Sequence, residues 1–132
     1  MSMTGITVAD ECVETFTNLK VKKVGRYVLF HIVDNAMVKV KAVGDRSATF
    51  EQFVGALSRD EPCYAAYDFE YEEGGTQKAK LILLTWIPET SKPRNKMMYA
   101  GTVGALKAKI EGGLVEMQAT DVSEFTKELV MM

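Results

Sequence analysis

Residues 63–87 read CYAAYDFEYEEGGTQKAKLILLTWI, and this stretch decides the fold. Aromatic and aliphatic residues dominate Cys63 to Tyr71 and again Ala79 to Ile87, the composition of a pleated, half-buried surface. Between them Glu72-Glu73-Gly74-Gly75-Thr76-Gln77-Lys78 is polar and carries two glycines, which predicts two antiparallel strands joined at a polar tip. Pro88 has no amide hydrogen to give a sheet and stops the second strand.

Downstream of this hairpin, a long helix is predicted from about Lys92 to Ile110, ended by Gly112-Gly113. An extended piece follows. A last short helix then starts at Asp121, with Glu124 three residues on. Upstream, Thr7 and Asp10 have capping-box spacing, and Cys12, Val13, Phe16 and Leu19 follow a helical period, so a first helix is expected from about Val8 to Leu19. Lys20 to Gly25 break that period. Arg26 to Val33 and Ala36 to Val43 are β-rich and flank Asp34-Asn35, a second hairpin. Phe50, Phe53, Val54 and Leu57 place a short helix over Thr49 to Leu57. The order is α β β α β β α, an extended piece, α. Sheet alternating with helix argues for an α+β arrangement, a mixed sheet covered by helices.

At 132 residues the chain has the length of one domain, so 1–132 is expected to fold around one core behind a flexible arm, 1–6. Hydrophobic residues at 47% and charged residues at 26% match ordinary globular proteins and argue against disorder. A net charge of −2 supplies no field for nucleic acid or an anionic membrane. Met1 to Asp10 lacks the cationic start and apolar run of a secretory signal, and no stretch approaches the ~20 apolar residues of a spanning helix. A cytoplasmic monomer, with passive passage to the nucleus, is the expectation.

The long helix carries the most informative pattern. At about 100° per residue, Tyr99, Val103, Leu106 and Ile110 fall within roughly 60° and form a core stripe. Arg94, Met97, Gly101, Gly104, Ala105 and Ala108 lie opposite, where a row of Lys and Glu is usual. Small residues let another surface approach closely, and Arg94 offers a charged anchor. The projection alone fits a docking strip or a helix buried on both faces. Lys96 lies near the edge of the core stripe and must reach outward along its stem.

Groups suited to catalysis or metal binding are few. Cys12 and Cys63 sit in apolar patterns, far apart, as reduced structural cysteines do. His31 is the only histidine, lies in an apolar run and fits a hydrogen-bonded structural role; transition-metal ligation lacks partners. No glycine-rich phosphate loop precedes a helix, so no cofactor is implied. Asp68, Glu70 and Glu72 share a strand face and are expected to meet solvent or nearby lysines. Lys20, Lys22 and Lys23 read as a solvated turn. An enzyme is not indicated.

Five segments in order resemble the actin-depolymerising factor/cofilin family. They are Thr4 to Glu11; Phe16 through Leu19-Lys20; Tyr64 to Glu72; Thr85-Trp86-Ile87-Pro88-Glu89; and Arg94 to Ala100. Gln118-Ala119-Thr120-Asp121 extends the match to nearly the whole chain. The resemblance implies the ADF-homology, gelsolin-like fold, with a central mixed sheet of about five strands between helices. It implies that actin monomers are held by Arg94 and Lys96, with Met97 beside them and Thr4, Gly5 and Ile6 of the arm. Thr4 stands where the family carries a regulatory phosphoserine, with Ser2 nearby, and preferential binding of ADP-actin is expected. The family also binds phosphatidylinositol bisphosphate through basic groups, an inhibitory contact for which Lys20, Lys22 and Lys23 are candidates.

The family's filament surface corresponds to Lys78 and Lys80 on the hairpin and to Glu124 and Lys127 on the last helix. Here it is thinner: Gly74-Gly75 is a short tip, and Lys127 is the sole cation after Asp121. Filament turnover with weak severing is therefore expected. Pro93 is shifted one position from the family's usual proline, which alters the approach to Arg94. Within the same fold, a module resembling glia maturation factor, binding the branched-filament nucleator, is the alternative.

Overall fold

The structure is a computed structural model and describes residues 5–110 and 114–130. Six strands form one mixed sheet: β1 (Thr7–Val8), β2 (Tyr27–Val33), β3 (Met37–Gly44), β4 (Cys63–Glu73), β5 (Thr76–Trp86) and β6 (Val115–Ala119). Four helices accompany it: α1 (Asp10–Val21), α2 (Phe50–Ala56), α3 (Pro93–Lys109) and α4 (Val122–Val130). The strand order is β1-β3-β2-β4-β5-β6, parallel at the two edge pairs and antiparallel between.

Alternation along the central strands explains why helices cover both faces. Val28, Phe30, Tyr64, Ala66 and Leu83 face one side, where α1 brings Cys12, Phe16 and Leu19 and α3 brings Tyr99 and Leu106. Tyr27, Leu29, Ala65, Tyr67, Ile82, Leu84 and Trp86 face the other, against Phe53 of α2 and Phe125 and Leu129 of α4. There Phe53 stacks on Tyr67 with centroids 4.5 Å apart. Truncating a fully buried phenylalanine of this kind costs about 3–5 kcal/mol.

The glycine pair at the hairpin tip has φ of 60° and 81°, the left-handed region that two-residue turns need, so β4 and β5 run up to it and extend further than expected. Asp34 and Asn35 adopt the same region, which their short side chains tolerate. The register between β2 and β3 shifts at Leu29/Phe30, leaving Lys41 as the extra residue on β3.

The amino-terminal expectation needs correction. Thr7 and Val8 do not begin a helix; they form a strand, with the Thr7 amide donating to the Ala36 carbonyl at 3.1 Å. Ala9 caps α1 without a side-chain bond, since its methyl offers no acceptor, and the Thr7 hydroxyl lies 3.5 Å from the Ala36 carbonyl. The extended piece became β6, and with β1 the sheet has six strands rather than about five. Thr49 and Gln52 form a reciprocal capping box at α2. On the outer edge of β3, past β1, the Val40 amide donates to Glu11 Oε2 of α1 at 3.1 Å. The Gly112-Gly113 helix stop lies outside the described residues.

Candidate functional site

Helix α3 is the centre of the candidate site. Lys92 caps it, and Pro93 in the first turn has a fixed φ that suits a helix start. Tyr99, Thr102, Leu106 and Ile110 are buried against the sheet. Val103 is only partly buried. Thr102, missed by the projection of apolar residues, is fully buried, and its hydroxyl donates back to the Met98 carbonyl at 2.7 Å.

Two tyrosines fix the helix to the sheet. The Tyr64 hydroxyl donates to the Tyr99 carbonyl, the Tyr99 hydroxyl accepts from the Ile32 amide, and the two rings lie 5.1 Å apart. Burial pushes both hydroxyl pKa values upward, so both stay protonated.

The opposite face of α3 is open. Arg94, Met97, Gly104 and Ala108 are exposed, and Gly101 and Ala105 half-buried, so the helix is not sandwiched within its own fold. Met97 is 75% exposed, an unusual position for methionine. A Cβ built on Gly104 would meet nothing within 4 Å. Arg94 and Lys96 enter no salt bridge among the described residues, which leaves both cations available to a partner.

A groove flanks the strip on each side. One is lined by Gly5, Ile6, Thr7, Val8, Ala105, Ala108 and Lys109. The other is lined by Ile87, Lys96, Met97, Ala100, Gln118 and Thr120, where Lys96 is half-buried along its stem. Gln118 comes from β6 and Thr120 from the β6–α4 junction, which helical projection of α3 could not reveal.

Gly5 sits exposed beside the first groove, with φ of 76°. Ile6 is 4% exposed and belongs to the core, so residue 6 is packed and not part of a flexible arm, and little of its side chain faces outward. Thr4 and Ser2 lie outside the described residues.

The second expected surface is less continuous. Lys78 is exposed and pairs with Glu73 at 3.3 Å. Lys80 stands 5.6 Å from the centroid of the Tyr71 ring. Glu124 helps cap α4, accepting from the Thr120 amide at 3.1 Å while its own amide bonds Asp121. Lys127 is exposed.

Other candidates for chemistry are occupied or inert. Asp68 does not meet solvent: it is fully buried, and Oδ2 holds Arg46 at 2.7 Å and Lys23 at 3.2 Å. Lys23, read as part of a solvated turn, is one of those partners. Burial raises the Cys12 thiol to about 11 and the Cys63 thiol to about 12, well above the range of reactive thiolates. His31 is half-buried in a polar cleft with Lys41, Glu61 and Asn95; burial, then Lys41, lowers its pKa. No group of three or more His, Cys, Asp or Glu among the described residues could hold a metal. No helix there is long and apolar enough to cross a membrane.

Comparison with known proteins places the fold in a family. Residues 5–132 match the family described as cofilin/tropomyosin-type actin-binding protein. Actophorin of Acanthamoeba castellanii is 38% identical over 129 residues, covering 97% of this chain and 94% of the relative. Actin-depolymerizing factor 8 of Arabidopsis thaliana is 37% identical, covering 98% of this chain and 94% of the relative. The crystal structure of Streptomyces griseoflavus cofilin superposes with a TM-score of 0.86 at 35% identity, covering 96% of this chain and 95% of that one. The solution structure of ADF/cofilin from Trypanosoma brucei is 43% identical with a TM-score of 0.77, covering 98% and 94%. A match across nearly the whole chain, on the same mixed sheet and helices, places this protein in the cofilin/actin-depolymerising factor family.

Proposed function

We propose that this chain binds actin monomers and filaments and promotes filament disassembly and turnover, acting as a one-domain monomer in the cytoskeleton. The single observation that carries the reading is the outward face of α3: two unpaired cations among the described residues, a protruding Met97 and a floor of small residues between two grooves. Cations on a rigid helix suit carboxylates of an acidic partner, and the small residues allow the close packing of an interface centre. Its relatives' names, actin-depolymerizing factor and actophorin, support the same reading and not a regulator of the branched-filament nucleator.

Binding, not catalysis, is the proposed activity. Asp68 lies beneath cations, and the two thiols are held protonated. ADP-actin is the proposed preference. Severing is proposed to be weak, because Lys78 and Lys80 are already engaged and Lys127 is the sole cation on α4. Phosphorylation of Thr4 or Ser2 would add about −1.5 to −2 charges to a chain whose proposed partner is acidic, and so oppose docking. Lys20 and Lys22 are the proposed contacts for phosphatidylinositol bisphosphate; Lys23 already holds Asp68.

High-speed co-sedimentation with ADP-actin filaments, measuring bound protein and actin left in the supernatant, tests this. Arg94→Ala/Lys96→Ala should keep its fold and lose binding by roughly tenfold or more, as removal of charge-assisted contacts does. Unchanged binding and disassembly by the double variant would remove α3 from the site.

A further inference from the structure

The β4–β5 hairpin leaves the sheet part-way along. β4 pairs with β2 only from Tyr64 to Tyr67, and β5 pairs with β6 only from Ile82 to Trp86. Beyond those levels a last main-chain bond runs from the Asp68 amide to the Arg26 carbonyl at 3.0 Å, and Phe69 to Glu73 and Thr76 to Lys80 have only each other as strand partners. A free two-stranded ribbon is marginal in water, so its direction depends on what holds its base.

The base is gripped by three cations acting on two carboxylates of β4. Arg46, from the β3–α2 loop, reaches Asp68 Oδ2 through Nη1 at 2.7 Å and Glu70 Oε2 through Nη2 at 3.1 Å. Arg26, just before β2, donates Nη1 to Glu70 Oε1 and to the Asp68 carbonyl. The two arginines are locked in turn: Arg26 Nη2 bonds the Arg46 carbonyl at 3.1 Å, and Arg46 Nη1 the Gly25 carbonyl at 3.3 Å. Lys23 adds its ammonium to Asp68. On the ribbon's other face Phe69 and Tyr71 stack at 5.5 Å, and Phe69 shares an apolar cleft with Phe50, Thr126 and Leu129.

A planar guanidinium that bonds two carboxylates through separate nitrogens fixes an angle as well as a distance, which an ammonium cannot do. A buried ion pair adds little stability over a well-packed apolar replacement. Orientation is what this one supplies. We propose that Arg26 and Arg46 are positioning residues for the filament contact, acting through Asp68 and Glu70 to aim the ribbon that carries Lys78 and Lys80. The proposal rests on the reading that this ribbon meets the filament.

Spin labels on cysteines introduced at Gln77 and Glu14 report ribbon direction by pulsed electron resonance, since Cys12 and Cys63 are buried with raised pKa values. The parent should give one narrow distance distribution. Glu70→Ala, chosen because Glu70 is exposed and its loss leaves the Asp68 pairs in place, and Arg46→Lys, which keeps the charge, should both broaden it. Filament co-sedimentation should weaken roughly three- to tenfold in both, the cost of ordering a loosened segment, with monomer affinity unchanged. Unaltered distances in both variants overturn the clamp, and equal losses of monomer and filament binding overturn its positioning role. Lys78→Ala/Lys80→Ala separates the underlying reading: filament binding that survives this variant removes the ribbon tip from the filament surface, whatever the distances show.

Discussion

The Tyr99 hydroxyl lies 2.9 Å from the Ile32 amide, so one side chain of α3 completes the main-chain bonding of β2 and sets the height of the helix above the sheet. Tyr99→Phe keeps the ring and strips the acceptor, leaving a part-buried amide without its partner. A loss of about 1–3 kcal/mol is expected in urea unfolding. Stability equal to the parent would mean that the bond does not hold the helix.

Gly104 separates helix stability from docking. Its missing Cβ has open space, so Gly104→Ala should raise stability by about 0.5–1 kcal/mol through helix propensity alone. Gly104→Leu should unfold no more easily than the parent yet weaken actin binding, because the added bulk stands on the docking strip. Equal actin affinity for both variants would place the contact elsewhere.

Two side chains should shape the acid limb of stability in different windows. Burial and Lys41 depress the folded pKa of His31 below 6.5, so the unfolded chain takes up its proton first and stability falls as pH drops below that value. Hydrogen bonding to Arg26 lowers the Glu70 pKa from 4.5, so its contribution is present above that pH and lost as pH falls through the lower folded value. Urea midpoints from pH 8 to 3 should show His31→Asn flattening the upper part of the slope and Glu70→Gln the lower part. An unchanged slope for either variant removes that group from the linkage.

Thr4→Glu should weaken monomer binding through like-charge repulsion against the acidic partner, while Thr4→Val should not. Fluorescence titration of labelled monomeric actin distinguishes them, and matching dissociation constants would argue against control at this position.

The sequence announced what depends on repeated pattern. The period of Phe50, Phe53, Val54 and Leu57, the aromatic and aliphatic run from Cys63 to Tyr71 and the two-faced projection of α3 all survive in three dimensions, because each is repeated burial by one element. What it hid depends on pairing between distant residues. A two-residue strand such as Thr7–Val8 has too little length to show a period, so local spacing predicts a helix start there and leaves Ile6 in a flexible arm. Asp68 and Glu70 did share a face, as strand geometry requires, but Arg46 lies more than twenty residues away from both, and no local spacing connects them. Gln118 and Thr120 joined the second groove only because parallel β6 lies beside β5. The Thr49/Gln52 capping box, by contrast, was available in the local spelling of the chain.

The Glu11 carboxylate on Val40 carries a consequence for handling the protein at high concentration. Bare strand margins invite neighbouring molecules to add themselves and grow into fibres. A side chain from α1 occupies a main-chain donor on that margin, and Lys39 and Lys41 beside it give approaching copies a like charge to overcome. Solubility in a crowded preparation thus hangs partly on one glutamate that has no part in the docking helix.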